Sequence, residues 1–493
     1  MAESFTETFA AGLAGYGDRP CIQYEGRWYS GEEITAYGRA IAEALREAGV
    51  ADGAPVGLVV RNRLPHAAAI IGCLAAGRPV SMIYSFQSPE SIGRDIEQLR
   101  LSAVVADVED WTQPVITAAE RAGSAGVAIS LRSPTVTAVA GLDRRDAGRA
   151  HAEAEPDVAL QILTSGTTGP PKRQSIRTDV LRRTVFSVTS GEQAPADAPP
   201  ELAYWQFGGI GVCQLIAGVY NGRRIVMLER FSVEGYVAAI KKHRIPRSGV
   251  QPAVIRMLLD ADVAKEDLAS LEFLISASGP LDPETRDEFE ARYGIPIVLA
   301  YGATEFAGSL CAWTPEMQAE FGASKRNSVG RALPDTELRV VDPETGAELA
   351  PGEQGLREAK VAPIGPDWIR TTDIASIDAD GFVTLHGRAD GAINRGGFKV
   401  LPENVRRVLI SHPAVKDACV VGVPDKRLGQ VPFAAIEVAD ATAAPSEEEL
   451  AELVRAQLPV YNVPVAFIVV DELPRNPALK VSLPAIAALY QPR

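Results

Sequence analysis

The sequence is poor in the residues that mark several function classes. Its 493 residues hold five cysteines (Cys21, Cys73, Cys213, Cys311, Cys419) and five histidines (His66, His151, His243, His386, His412). The cysteines are odd in number and widely separated, which excludes a disulfide framework and points to a reducing cytoplasm. The histidines form no His-x-x-x-His pair and no cluster with cysteine, so structural zinc is not expected. No Gly-x-Ser-x-Gly elbow is present, and serine-hydrolase chemistry therefore lacks its nucleophile signature. Basic residues are outnumbered, 49 Lys and Arg against 63 Asp and Glu for a net charge of -14. With no run of five or more Lys or Arg, no partnership with nucleic acid or an anionic membrane surface is expected. No apolar run reaches the roughly 18 to 20 residues of a spanning helix, so no integral membrane segment is expected. The opening MAESFTETFAAGLAGYGDRP lacks the basic-then-apolar order of a secretory leader.

What is present suits a large, compact globular protein, expected to be soluble. With 46% hydrophobic and 23% charged residues, the chain can bury a sizeable core, and its length calls for two or three domains. Helical periodicity over 33–48 and 64–77 alternates with β-rich runs such as Val56–Val60 and Val104–Ala106. The same alternation recurs to about residue 300, through Val233–His243, Leu271–Ser276, Pro283–Tyr293 and Ile297–Ala300. Such βαβ texture predicts doubly wound α/β layers. From about 328 to 386 short strands and turns take over and predict a β-rich subdomain. The last hundred or so residues suit one small α+β domain. The predicted boundary divides 1–389 from 390–493.

One stretch carries phosphate chemistry. An apolar strand, Leu160 to Leu163, runs directly into Thr164-Ser165-Gly166-Thr167-Thr168-Gly169-Pro170-Pro171-Lys172. Backbone N–H groups and hydroxyls in such a loop can converge on phosphate oxygens, with a lysine at its end. The spacing is not that of a Walker loop, because two prolines precede the lysine. The alternative is a surface loop made of turn-forming residues.

The segment 164–172 resembles the TSGTTGxPK signature of the adenylate-forming superfamily: acyl- and aryl-CoA synthetases, peptide-synthetase adenylation domains and luciferases. Further stretches resemble the superfamily's motifs in its own order. They are Ser276-Ala277-Ser278-Gly279-Pro280-Leu281, Tyr301-Gly302-Ala303-Thr304-Glu305, Trp368-Ile369-Arg370-Thr371-Thr372-Asp373, Gly387-Arg388-Ala389-Asp390, Gly396-Gly397-Phe398-Lys399-Val400, and Pro474 through Lys480.

The resemblance implies a large N-terminal adenylating domain and a mobile C-terminal domain that turns about Asp390. It implies ATP and magnesium as cofactors and CoA as co-substrate. Thr164 to Gly169 with Lys172 would hold the phosphates; Ser278, Gly279, Pro280, Tyr301, Gly302 and Ala303 would flank the adenine. Asp373 would accept hydrogen bonds from both ribose hydroxyls, and Arg388 would contact ribose or phosphate. Glu305, next to Thr304, would hold the magnesium, and Lys480 would meet the charge that develops as pyrophosphate leaves. Gly396, Gly397 and Lys399 would face CoA.

Three departures from the pattern stand out. Gln206 occupies the place of a histidine in Tyr204-Trp205-Gln206-Phe207-Gly208-Gly209, Thr372 that of a glycine, and Leu479 that of another. Trp205, Gln206, Phe207, Gly208, Gly209 and Ala300 could line an acyl or aryl pocket or serve as ordinary core. The expected activity is an acid–CoA ligase working through an acyl-AMP on an aromatic or fatty acid. A carrier-protein loading enzyme is the first alternative, and a nucleotide-binding module without catalysis the second. No carrier module follows before Arg493. The sequence fixes neither the acid nor the oligomeric state.

Overall fold

The structure is a computed structural model that describes residues 4–130, 135–164, 172–189, 193–208, 211–279, 281–303, 306, 308–389, 391–395, 398–438, 444–476 and 479–491. Its contacts divide the described residues into two compact units, one ending at Leu310 and the other running from Cys311 onward.

In the first unit, β1 (Pro20–Tyr24) and β2 (Arg27–Ser30) form a hairpin. The next strands are β3 (Val56–Val60), β4 (Val80–Tyr84), β5 (Ala103–Asp107), β6 (Ala125–Ile129), β7 (Thr137–Ala138), β8 (Val158–Thr164) and β9 (Lys172–Arg177). They make a seven-stranded sheet in the order β7-β6-β5-β3-β4-β8-β9. The inner strands are parallel, while β7 and β9 close the edges antiparallel. Helices Leu64–Ala75, Pro89–Leu99 and Gln113–Ala122 supply the crossovers. Every residue of β3, β5 and β6 is buried, as expected of parallel strands covered on both faces.

Strands β10 (Glu201–Ala203) and β11 (Ile225–Met227) join the hairpin in the order β10-β11-β1-β2, and β12 (Arg247–Val250), β13 (Phe273–Ser276) and β14 (Ile297–Ala303) lie parallel to one another. Helices Val233–His243 and Pro283–Tyr293 occupy the expected spans. Serines start several of the helices. Ser30 forms a reciprocal capping box with Glu33 before Gly31–Glu47, which satisfies donors that the first helical turn leaves open.

In the second unit, β15 (Gly308–Ala312), whose last two residues belong to it, pairs antiparallel with β16 (Arg331–Ala332). An antiparallel meander follows, β17 (Thr336–Val341), β18 (Gly355–Val361), β19 (Ile369–Ile377) and β20 (Val383–Arg388). This is the β-rich subdomain. The remaining strands, β21 (Ile393–Arg395), β22 (Phe398–Val400), β23 (Val415–Asp425), β24 (Gly429–Val438) and β25 (Phe467–Val470), form one mixed sheet. Its long pair β23–β24 is buried on both faces. Val420, Ala434 and Ile436 pack with helices Pro402–Ile410 and Glu447–Gln457, and Val421, Phe433 and Ala435 pack with Ile486 on the other side. Alternation of side chains along a strand divides one hydrophobic run between two cores.

All five cysteines are free and buried. No described helix is long and apolar enough to cross a membrane.

Candidate active site

The phosphate-type loop is held at its base by its own strands. Thr164 at the end of β8 pairs with Lys172 at the start of β9, so the two residues that flank 165–171 are register partners. Ser165 to Gly169 lie outside the described residues, as do Gly209, Pro280, Thr304, Glu305, Asp390, Gly396 and Gly397, and the side chains of Thr164, Lys172, Ala303 and Lys399. Directly behind the loop, Arg173 Nη2 donates to both carboxylate oxygens of Asp95 at 2.7 Å, and its Nη1 donates to the Met82 carbonyl at 2.7 Å. With its two terminal nitrogens tied to different partners, one through charge-assisted contacts, the guanidinium fixes the direction in which β9 leaves the loop.

The other candidates of the first unit stand in the carboxyl-terminal part of parallel strands or just beyond it, where open α/β sheets place their ligands. Ser276 of β13 pairs in register with Leu299 of β14, so the turn through Ser278 and Gly279 adjoins Ala300, Tyr301 and Gly302. Ser278 has a φ of +70°, a conformation uncommon for a residue with a Cβ and frequent at functional turns. Ser278, Gly279 and Gly302 are exposed, and Ala300 and Tyr301 half-buried. A Cβ at Gly302 would stand 2.2 Å from the Gly308 carbonyl oxygen. Glycine is required there because two chain segments nearly touch.

The segment after β10 is tied down from several sides. The Trp205 indole donates to the Gly249 carbonyl at 3.0 Å, and the Tyr204 hydroxyl to the same carbonyl at 3.1 Å. Gly208 lies so close to Tyr84 that a Cβ would fall 1.9 Å from its ring. Phe207 is 1% exposed and belongs to the core, while Trp205 and Gln206 are half-buried. Burial raises the Tyr84 hydroxyl to about 12, so it remains a neutral donor.

A charged cluster supports this region. Arg61 pairs with Asp110 at 2.6 Å; Arg63 pairs with Glu229 at 2.9 Å and Asp107 at 3.2 Å. Burial opposes ionisation of Asp107, yet His66, the Glu109 N–H and Arg63 together hold its carboxyl down at about 2. His66 is fully buried, and that burial lowers its imidazole below the ordinary value. At the opposite, amino ends of β10 and β12, a cavity of about 190 Å³ is lined in part by Glu201, Arg223 and Arg247. Its carboxylate already accepts from both arginines.

The second unit gathers three candidates. Asp373 on β19 is the register partner of Arg388 on β20. Asp373 keeps a 15% exposed side chain and contacts Arg357 at 3.4 Å. Lys480 sits in a turn closed by a bridge between Arg475 and Val481. Its N–H donates to Asn476 Oδ1 at 3.1 Å, and its carbonyl accepts from the Asn476 N–H at 2.8 Å. The Lys480 side chain is exposed, yet protein crowds around it. That crowding, with the like charge of Arg388, lowers its ammonium below the ordinary lysine value. Among the described residues, no group of three or more His, Cys, Asp or Glu forms a metal site. Glu305, expected to hold magnesium, is not among them.

Residues 9–356 match the family model described as AMP-binding enzyme, and residues 405–480 match the AMP-binding enzyme C-terminal domain. The chain belongs to the AMP-binding enzyme family. It is an AMP-forming acid–thiol ligase of the adenylate-forming superfamily. This AMP-binding enzyme is 29% identical to 4-coumarate–CoA ligase-like 9 of Oryza sativa subsp. japonica, over 95% of this chain and 90% of that one. It is 26% identical to the fatty acid–[acyl-carrier-protein] ligase ScoC of Streptomyces coeruleorubidus, over 94% of this chain and 92% of that one. In fold it matches ATP-bound MatB from Rhodopseudomonas palustris with a TM-score of 0.82 at 22% identity, covering 98% and 99% of the two chains.

Two residues of this AMP-binding enzyme that touch candidate site segments carry no motif. Asn62 bonds Trp205 and Phe207, and Arg357 contacts Asp373. A polar residue after an apolar strand was the available signal for Asn62; Arg357, in a strand that also carries Glu358 and Lys360, gave none.

Proposed function

We propose that this enzyme is an ATP-dependent carboxylic acid–CoA ligase acting on an aromatic or fatty acid. The observation that carries the reading is the placement of Asp373 beside Arg388 on neighbouring strands, with the Lys480 ammonium close enough to sense the Arg388 charge. A carboxylate with two acceptor oxygens suits vicinal ribose hydroxyls, and a nearby lysine suits a developing phosphoryl charge. One carboxylate oxygen of the acid attacks the α-phosphorus of ATP, and the bond to pyrophosphate breaks. The thiol sulfur, its proton lost to solvent or a base, then attacks the acyl carbonyl, and AMP leaves with the electrons of the C–O bond.

Within this reading, Asp373 holds the ribose, Arg388 the ribose or phosphate, and Lys480 the oxygens between acid and α-phosphate. The phosphate loop 164–172 holds the remaining phosphates, and Ser278 through Pro280 with Tyr301 through Ala303 flank the adenine. Glu305 with Thr304 would hold magnesium, which supplies charge neutralisation on the phosphates. Trp205, Gln206, Gly208 and Ala300 face the acid, and Gly396, Gly397 and Lys399 the CoA. Rotation of 390–493 about Asp390 would separate the two half-reactions. The free cysteines and the acidic surface suit a cytoplasmic enzyme.

The fatty acid–[acyl-carrier-protein] ligase among its relatives favours a second reading, in which the thiol is a carrier-protein phosphopantetheine. Pyrophosphate release from ATP across aromatic, medium-chain and long-chain acids separates the two. Stimulation by CoA supports the CoA ligase, and stimulation by a holo-carrier alone supports the second reading. Tight ATP binding with no pyrophosphate release on any acid would overturn both.

A further inference from the structure

Asp373 lies inside one break in strand register and next to a second. On β18 and β19, Leu356 pairs with Ile374, but Glu358 pairs with Arg370, so the single residue Arg357 faces the three residues 371–373. On β19 and β20, Ile374 pairs with Gly387 and Ala375 with Leu385, which leaves His386 as an extra residue. Bulges disrupt the ladder locally and re-aim side chains, so the direction of Asp373 must be fixed by other contacts.

Those contacts converge on Arg357. The Thr371 hydroxyl donates to the Arg357 carbonyl at 3.0 Å and accepts from the Asp373 N–H at 3.2 Å. The Arg357 guanidinium donates to Asp373 Oδ2 at 3.4 Å. Gly355, Arg357, Ala359 and Val361 form the inward row of β18, and all four are buried. Arg357 is 0% exposed in that row. A guanidinium is costly to desolvate, and an apolar residue of similar volume would serve packing as well or better. The cation has a role there that packing does not explain.

We propose that Arg357 is the positioning residue for Asp373, holding one carboxylate oxygen from behind the bulge so that the other lone pairs stay directed at the two ribose hydroxyls of the nucleotide. The inference rests on the reading of Asp373 as the ribose-binding carboxylate. Arg357 acts through Asp373 and touches neither nucleotide nor acid itself.

The test compares ATP with 2′-deoxy-ATP and 3′-deoxy-ATP in acid-dependent pyrophosphate release. Arg357→Met keeps most of the volume and removes the donors. It is expected to reduce the preference for ATP over each deoxynucleotide about three- to tenfold, the worth of one hydrogen bond, with the KM for the acid unchanged. Arg357→Lys keeps the charge without the planar fork and is expected to fall between wild type and Arg357→Met. A purely structural role would lower stability and leave the sugar preference where it was. Asp373→Ala separates the two levels of the argument. If it leaves the sugar preference intact, the ribose reading of Asp373 fails. If it abolishes the preference while a folded Arg357→Met retains it, the positioning role is overturned. Should Arg357→Met fail to fold, Arg357→Lys carries the same decision, a wild-type preference overturning the proposal and a reduced one supporting it.

Discussion

Asn62 pairs with both peptide groups that flank Gln206. Its Nδ2 donates to the Trp205 carbonyl at 2.7 Å, and its Oδ1 accepts from the Phe207 N–H at 2.9 Å. The side chain is 1% exposed, so neither bond competes with bulk water. Its neighbours anchor in other directions, Arg61 to Asp110 and Arg63 to Glu229. A three-residue segment after β3 thereby connects a short helical turn after β5, the segment after β10 and the segment after β11.

Replacing Asn62 with alanine leaves a buried carbonyl and a buried N–H unpaired, which costs about 2–3 kcal/mol. Thermal melts should show that loss. Because the freed peptides border the half-buried Trp205 and Gln206, the KM for the acid should rise more than the KM for ATP. A folded Asn62→Ala enzyme with wild-type acid KM would mean that Tyr204 and Trp205, through Gly249, hold the segment alone.

Much of this architecture was legible in the sequence, because it rests on local regularities. The helices Val233–His243 and Pro283–Tyr293 and the strand Val56–Val60 occupy the spans that periodicity predicts. The strand before the phosphate loop was equally plain, since four apolar or uncharged residues precede a run of turn-formers. Asn62 was not legible, because its partners are 143 and 145 residues away and only the order of the sheets brings them together. Arg357 was hidden for a related reason. In sequence it is a charge between Leu356 and Glu358, and only the bulge opposite shows that it points inward. The division at Leu310 and Cys311 falls inside a strand, where composition gives no boundary.

Leu479 illustrates a departure whose physical content only the backbone reveals. It stands where the resembling motif has glycine, and its φ is +60°. A left-handed conformation costs a residue with a Cβ about 1–2 kcal/mol, against almost nothing for glycine. Leu479→Gly relieves that strain while giving the unfolded chain extra freedom, for a net stabilisation of about 0.5–1 kcal/mol. Leu479→Ala keeps the Cβ and should bring no gain. Melting curves of the two variants decide the matter, and equal effects would assign the change to the lost leucine side chain instead of the backbone.

Lys480 gives the enzyme a pH signature. Crowding around its side chain and the like charge of Arg388 both disfavour the ammonium, so its pKa lies below the ordinary 10.5. The ammonium is therefore held below that lowered value and lost as pH rises through it, earlier than for a solvated lysine. If the charged form supports adenylation, acid-dependent pyrophosphate release should decline along an alkaline limb displaced to lower pH. Arg388→Gln removes the like charge and should move the limb upward, whatever it does to the maximal rate, while the part due to crowding persists. Lys480→Arg, whose guanidinium does not titrate in this range, should flatten the limb even with activity reduced. A limb that stays in place in Arg388→Gln and persists in Lys480→Arg would belong to another group and remove Lys480 from the proton balance of the reaction.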